Sequence, residues 1–203
     1  MDERNYDLKQ IFFDRWAPNY DWLLTTIFYQ AIHRRLLSLI DLPHLAHILD
    51  LGCGTGKLLN RLVQNYSAMK GIGLDFSAEM IKQARNNKKY RSQLIFIQGN
   101  AESMPFANNQ FDAVFNSISF LHYRYPKRVL AEISRILKPK GHYYLADWQG
   151  LNFHYLPFSP AGIHFYSLQQ RERLALAVGL DCLGHHNLLA GVWLSKFTKN
   201  ADV

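Results

Sequence analysis

From residue 47 onward, short apolar runs alternate with amphipathic stretches, and the alternation predicts the elements one by one. HILDL (47–51) predicts a strand and KLLNRLVQNY (57–66) a helix; KGIGLD (70–75) predicts a second strand, followed by a helix over SAEMIKQARNN (77–87) with Ser77 as its N-cap. LIFIQG (94–99) reads as a third strand and FDAVFNSISF (111–120) as a buried fourth. PKRVLAEISRIL (126–137) repeats apolar residues at helical spacing with Pro126 in its first position. KPKG (138–141) then reads as a turn and HYYLADW (142–148) as a fifth strand. Strand–helix alternation of this length implies βαβ units. The expected class is α/β: a doubly wound, mostly parallel sheet with helices on both faces.

The period changes toward the end. SLQQRERLALAVG (167–179) predicts a helix closing at Gly179, and LDCLGHHNLL and GVWLSKFTK predict strands joined at Ala190-Gly191, so an antiparallel hairpin finishes the sheet. Residues 5–41 read as helical with a break at Pro18, and QGLNFHYLPFSPAGIHFY (149–166) reads as an aromatic insertion. The expected organisation of the 203 residues is one domain: a helical cap (1–43), a core (44–148), the insertion (149–166), and a terminal helix and hairpin (167–203).

Charge and composition narrow the setting. A hydrophobic fraction of 48% suits an ordinary globular core. The opening MDERNYDLKQ is polar and offers no signal peptide, and no run approaches the roughly 20 apolar residues of a spanning helix. The two cysteines, Cys53 and Cys182, lie far apart without metal-ligand spacing, and no His/Cys/carboxylate cluster signals a metal; the expectation is a reduced, cytoplasmic setting and no metal. The net charge of +7 is spread rather than massed in one run, which fits a solvated basic surface first and an anionic membrane surface second. A nucleic-acid partner has only this charge in its favour, with no separate binding domain appended, and is not expected.

The candidate chemistry lies in ILDLGCGTGKLLNRL (48–62). A phosphate-cradling P-loop needs G-x-x-x-x-G-K-[ST]; here no glycine lies five before Gly56, and Lys57 is followed by Leu58. A dinucleotide fingerprint, G-x-G-x-x-G, would need its last glycine at position 57, which is lysine. What remains is G-x-G-x-G preceded by an acidic residue, Asp50. The following strand ends at Asp75, 23 positions after Gly52, where a carboxylate can accept from ribose hydroxyls.

This order of motifs resembles the class I S-adenosylmethionine-dependent methyltransferases, a Rossmann-like family. LDFSAEM (74–80) is similar to the family's second motif and GNAESMPF (99–106) to its adenine-binding turn. FDAVFNS (111–117) resembles the strand that ends at its pocket floor, and ISRILKPKGHYYLAD (133–147) its late helix–turn–strand, so the likeness covers 47–148. The resemblance implies S-adenosylmethionine as cofactor and S-adenosylhomocysteine as product. It nominates Asp50, Gly52, Gly54, Thr55, Gly56, Asp75, Phe76, Met80, Asn100, Ala101 and Ser117 as cofactor-binding residues. FFDRWAPNYDWLL (12–24) is similar to the leading segment of the ubiquinone and menaquinone C-methyltransferases and of the bacterial phosphatidylethanolamine N-methyltransferases, which adds Tyr20.

Methyl transfer from a sulfonium needs a base only if the acceptor must lose a proton. His122, just after the fourth strand, is the candidate, with a packing role as its alternative. Two further histidines, His154 and His164, and Tyr123 could line the same pocket. The acceptor expected from the resemblance and the aromatic content is a small or lipid-like molecule, of quinone or phospholipid head-group type, with transient contact to anionic membranes. RNA methylation and a non-catalytic cofactor-binding role are the alternatives.

Overall fold

The computed structural model describes residues 23–90, 92–149 and 163–201. Seven strands form a single sheet in the order β3-β2-β1-β4-β5-β7-β6. The strands are β1 (His47–Leu51), β2 (Lys70–Asp75), β3 (Leu94–Gln98), β4 (Phe111–Ser117), β5 (Leu137–Trp148), β6 (Leu180–Leu189) and β7 (Val192–Lys199). β1 pairs in parallel with β2 and β4, β2 with β3, and β4 with β5; β7 runs antiparallel to both β5 and β6. The expected sheet with its terminal hairpin is therefore what the chain builds.

Alternation along β1 distributes the core. Ile48 faces a cluster holding Ile32 and Leu36 of α1 (Leu23–Leu37), Leu58, Leu59 and Leu62 of α2 (Lys57–Asn65), and Ile81 and Ala84 of α3 (Ala78–Asn86). Leu49 and Leu51 face the opposite cluster, with Val129, Ile133 and Ile136 of α4 (Pro126–Ile136) and Ala175 of α5 (Leu168–Leu176). Each such leucine or isoleucine is buried, worth about 1.5–3 kcal/mol against exposure. The helix starts follow from local chemistry. Ser77 Oγ accepts the Met80 amide, as expected for the N-cap of α3. Ser167 and Gln170 form a reciprocal capping box on α5. At the hairpin, Ala190 (φ 47°) and Gly191 (φ 86°) both take left-handed backbone, the requirement of a two-residue turn that matches strand twist.

Three expectations are corrected. β4 ends at Ser117, where the likeness of FDAVFNS ends it, rather than at 120 as the apolar run predicts: Ile118 turns left-handed (φ 51°), and Phe120–His122 form a 3₁₀ turn. KPKG (138–141) is not a separate turn but an irregular stretch within β5. The register there jumps from Phe111↔Leu137 to Ala113↔His142, with Lys140 at φ 62°. The first helix, expected across 5–41, ends at Leu37. Residues 1–22, with the expected break at Pro18, and most of the insertion (150–162) lie outside the described residues.

Candidate functional site

In an open parallel sheet the ligand crevice lies beyond the carboxyl ends of the strands, beside the point where strand order reverses. Here that point falls between β1 and β4, and the glycine loop follows β1 directly. Its glycines, Gly52, Gly54 and Gly56, all have positive φ (73°, 51° and 78°). The amides of Gly52 and Cys53 both donate to the Leu74 carbonyl (2.8 and 3.1 Å), and that of Gly56 donates to the Cys53 carbonyl (3.0 Å). The Gly54 amide donates to Asp75 Oδ2 at 2.8 Å, while Asp75 Oδ1 accepts the Ser77 amide at 3.0 Å. One carboxylate thus clasps the loop after β1 to the start of α3. Four loop amides are satisfied within the protein, which removes the fan of free N–H groups on which a phosphate site depends.

Asp50 is 2% exposed, and its Oδ2 is buried without a hydrogen-bond partner. Burial, and secondarily the Asp75 charge, push its carboxyl up to about 8. The same causes, burial first, raise the Cys53 thiol well above its usual range.

The end of β4 closes over this loop through a buried polar network. Asn116 Nδ2 lies 2.7 Å from the Leu51 carbonyl, 2.7 Å from Ser119 Oγ and 2.9 Å from the Tyr123 hydroxyl, so two amide hydrogens serve three acceptors. Ser119 Oγ also donates to the Leu51 carbonyl at 3.1 Å. Burial pushes the Tyr123 phenol well up, so it stays a neutral hydroxyl. Beyond it, the His122 amide donates to the Ser119 carbonyl (3.1 Å), and the Leu121 amide donates to Asp147 Oδ2 (3.1 Å). Burial pushes Asp147 up to about 6, against the opposing pull of Arg171 and of backbone N–H groups. Where the chain returns after the insertion, the His164 amide donates to the Leu121 carbonyl (3.0 Å), and the Tyr166 ring packs edge-on against Phe120 at 5.1 Å.

Most of the nominated residues gather around these ends. Asp50, Gly52, Gly54, Thr55, Gly56 and Asp75 form the loop and its clasp, with Thr55 buried. Phe76 is half-buried at the entry to α3, and Met80 is buried within that helix. β2 and β3 pair through Asp75↔Gln98, and the Gly99 amide donates to the Asp75 carbonyl (2.9 Å), so Asn100 and Ala101 follow beside the end of β2. Asn100 Oδ1 accepts the Glu102 amide at 2.9 Å, and Ala101 is buried. Ser117 ends β4 with its Oγ buried and unpartnered. His122 is half-buried on the 3₁₀ turn. Tyr20 and His154 lie outside the described residues. Sequence reasoning missed Asn116, Ser119 and Asp147. The available signal was an asparagine inside an otherwise apolar buried strand, a position that has to be hydrogen-bonded.

Comparison with known proteins is consistent with this geometry. Residues 49–145 match the model of a methyltransferase domain. A demethylmenaquinone methyltransferase of Lactiplantibacillus plantarum is 36% identical over 135 residues, 63% of this chain and 56% of that protein. A second, from Thermotoga maritima, is 33% identical over 132 residues, 64% of this chain and 56% of that protein. The chain thus spans about half the length of the curated relatives it matches. Among solved structures, a chain in the complex of the Haloferax volcanii Trm112 methyltransferase activator with a methyltransferase superposes with a TM-score of 0.80 at 23% identity, covering 93% of this chain and 97% of that one.

Proposed function

We propose that this chain, whose residues 49–145 match a methyltransferase domain, is a class I S-adenosylmethionine-dependent enzyme that transfers a methyl group from S-adenosylmethionine to a small, lipid-like acceptor of quinone type. The observation that carries the reading is the pairing of a glycine loop whose amides are internally satisfied with two carboxyl groups, Asp50 and Asp75, at the ends of adjacent strands. Such a donor set fits a cationic nucleoside without phosphates. The orphaned Asp50 Oδ2 in particular fits a ligand that brings a positive charge or a hydrogen-bond donor.

When bound, S-adenosylmethionine supplies an electrophilic methyl group on a sulfonium. Asp75 would hold the ribose side, its carboxylate fixed at the end of β2 by the Gly54 and Ser77 amides. Burial pushes the Asp50 carboxyl up to about 8, and the positive charge of a bound sulfonium would favour its ionised form. Asn116, Ser119 and Tyr123 fix the floor and exclude water from it. Holding two reactants in a near-attack arrangement is worth about 7–11 kcal/mol without any acid or base. His122 stands at the carboxyl end of β4, placed to take an acceptor's proton where the acceptor must lose one.

A lipid-like acceptor also motivates transient contact with anionic membranes, favoured by the +7 net charge. No described helix is long and apolar enough to cross a membrane. The test is direct: the purified chain is incubated with S-adenosylmethionine carrying a labelled methyl group and with demethylated quinones, with and without anionic vesicles. Label in the quinone supports the reading. Cofactor binding with no transfer to any quinone refutes the acceptor class.

A second reading is favoured by one pair of observations. The edge strand β3 exposes Ile95 (57%), and the neighbour with a TM-score of 0.80 comes from a complex with an activator subunit. Here the chain is the catalytic half of a two-chain enzyme. Activity that appears only on adding a Trm112-type protein would select it.

A further inference from the structure

On the α5 side of the terminal hairpin, four strand positions from β1, Glu172 of α5 meets Cys182 and His185 of β6. One ligand atom from each, a Glu172 carboxylate oxygen, Cys182 Sγ and a His185 ring nitrogen, lie within 4.8 Å of one another. His185 Nε2 is 2.9 Å from Glu172 Oε1 and 3.7 Å from Cys182 Sγ. The absence of a metal-like cluster expected from the sequence does not hold in space.

The backbone is shaped for this meeting. Residues three apart on a regular strand face opposite sides. Between Cys182 and His185 the register steps from Cys182↔Phe197 to Gly184↔Lys196, so one extra residue is inserted and both side chains emerge on the same face. The bulge requires Gly184 at φ 132°, a conformation an L side chain rarely adopts. A Cβ there would meet nothing within 4 Å, so backbone shape rather than space demands the glycine. A second support lies behind the histidine. His185 Nδ1 is 2.9 Å from Ser195 Oγ, itself 3.3 Å from Arg171 Nη1, which is 1% exposed as a residue. An outer partner that fixes the ring and leaves the other nitrogen aimed at the ligands is the usual arrangement of a metal-binding histidine.

We propose that Glu172, Cys182 and His185 form a zinc site that fastens α5 to the terminal hairpin. The donor set selects the ion: thiolate and imidazole suit Zn²⁺, whereas Ca²⁺ and Mg²⁺ take oxygen ligands. On binding, the Cys182 thiol loses its proton to solvent, and any proton between His185 Nε2 and Glu172 is displaced. Bonds form from the ion to Sγ, Nε2 and a carboxylate oxygen, and one thiolate and one carboxylate balance the two positive charges. Water takes the fourth tetrahedral position. The site is separate from the glycine loop, and the proposal stands whether or not the chain methylates a quinone.

The test uses the full chain, stripped with a chelator and titrated with Co²⁺ and then Zn²⁺. A thiolate-to-cobalt charge-transfer band saturating at one equivalent and bleached by Zn²⁺ is expected. It should vanish in Cys182→Ser, persist in Cys53→Ala, and require about 10- to 100-fold more metal in Ser195→Ala, the range for loss of an outer-shell partner. Glu172→Gln, a conservative change at a half-exposed side chain, should also weaken binding. No band, or a band that survives Cys182→Ser, overturns the site.

Discussion

Replacing Gly52 by alanine tests the geometry of the cofactor loop most sharply. Two costs can be worked out separately. Gly52 sits at φ 73°, and a left-handed conformation costs an L residue about 1–2 kcal/mol. The added Cβ would also lie 2.4 Å from Ser119 Oγ and 2.6 Å from Ser119 Cβ. Ser119 cannot turn aside freely, because its hydroxyl donates to the Leu51 carbonyl and accepts from Asn116. Losing those two bonds at about 0.5–1.5 kcal/mol each adds about 1–3 kcal/mol. Urea unfolding of Gly52→Ala should therefore show a loss of about 2–5 kcal/mol, read from midpoints at constant slope. Ser119→Gly removes both clashing atoms. In that background Gly52→Ala should cost only the backbone share, about 1–2 kcal/mol, and the cycle should return a coupling of about 1–3 kcal/mol. A Gly52→Ala loss below about 0.5 kcal/mol, the range of an ordinary surface substitution, would refute the close approach of β4 to the loop. An equal loss in both backgrounds would refute Ser119 as the obstacle.

Further outcomes follow from the same contacts. Calorimetry should show binding of S-adenosylmethionine and S-adenosylhomocysteine but not of NADH; selective NADH binding would reverse the cofactor assignment. Asp75→Ala should weaken cofactor binding by about 1.5–3 kcal/mol, the scale of bonds to a charged group, and should lower stability as well, because two amides lose their acceptor. Asp50 has a raised folded pKa, so the folded protein holds a proton that the unfolded chain releases. Its contribution is fully present below the unfolded value of about 3.9 and is lost as pH rises through about 8. Asp50→Asn should flatten the fall in stability between those limits, and an unchanged profile would remove Asp50 as its source. His122→Ala should lower turnover by about 10²- to 10⁴-fold with cofactor affinity nearly intact if His122 acts as a base; turnover equal to wild type in a well-folded variant excludes that role.

What the sequence revealed depended on the range of the interactions involved. β1, β2 and the helices after them announce themselves because period and capping are local: Ser77 caps α3 by reaching three residues ahead. The hairpin at Ala190-Gly191 is equally local. The apolar pattern overran the end of β4 because Ile118 and Phe120 continue the alternation of FDAVFNSISF past Ser117. The turn at Ile118 is set instead by the Asn116–Ser119–Leu51 network and by the Ile118 amide bonding the Ala146 carbonyl (2.8 Å), partners distant in the chain. The KPKG stretch misled for a related reason. Its Pro and Gly look like a turn, yet pairing with β4 draws them into an irregular strand. In the candidate site, Asp50, the glycines and Asp75 were legible from spacing; Asn116 stood out as a polar residue in an apolar strand, but its partners, like those of Asp147, become visible only once strands are laid side by side. The Glu172–Cys182–His185 group was hidden twice, by chain separation and by a bulge that reverses the facing of His185.

The Asp75 clasp bears on how proteins of this kind age in evolution. The carboxylate proposed to hold the ribose also ties the Gly54 and Ser77 amides, so a copy that stopped turning over substrate would still be penalised for losing it. Selection for folding alone keeps the acid in place. An intact acidic residue after the second strand is therefore poor evidence that a descendant still catalyses anything. Decay should register first at positions that support no backbone, because only there does losing the chemistry leave the fold untouched.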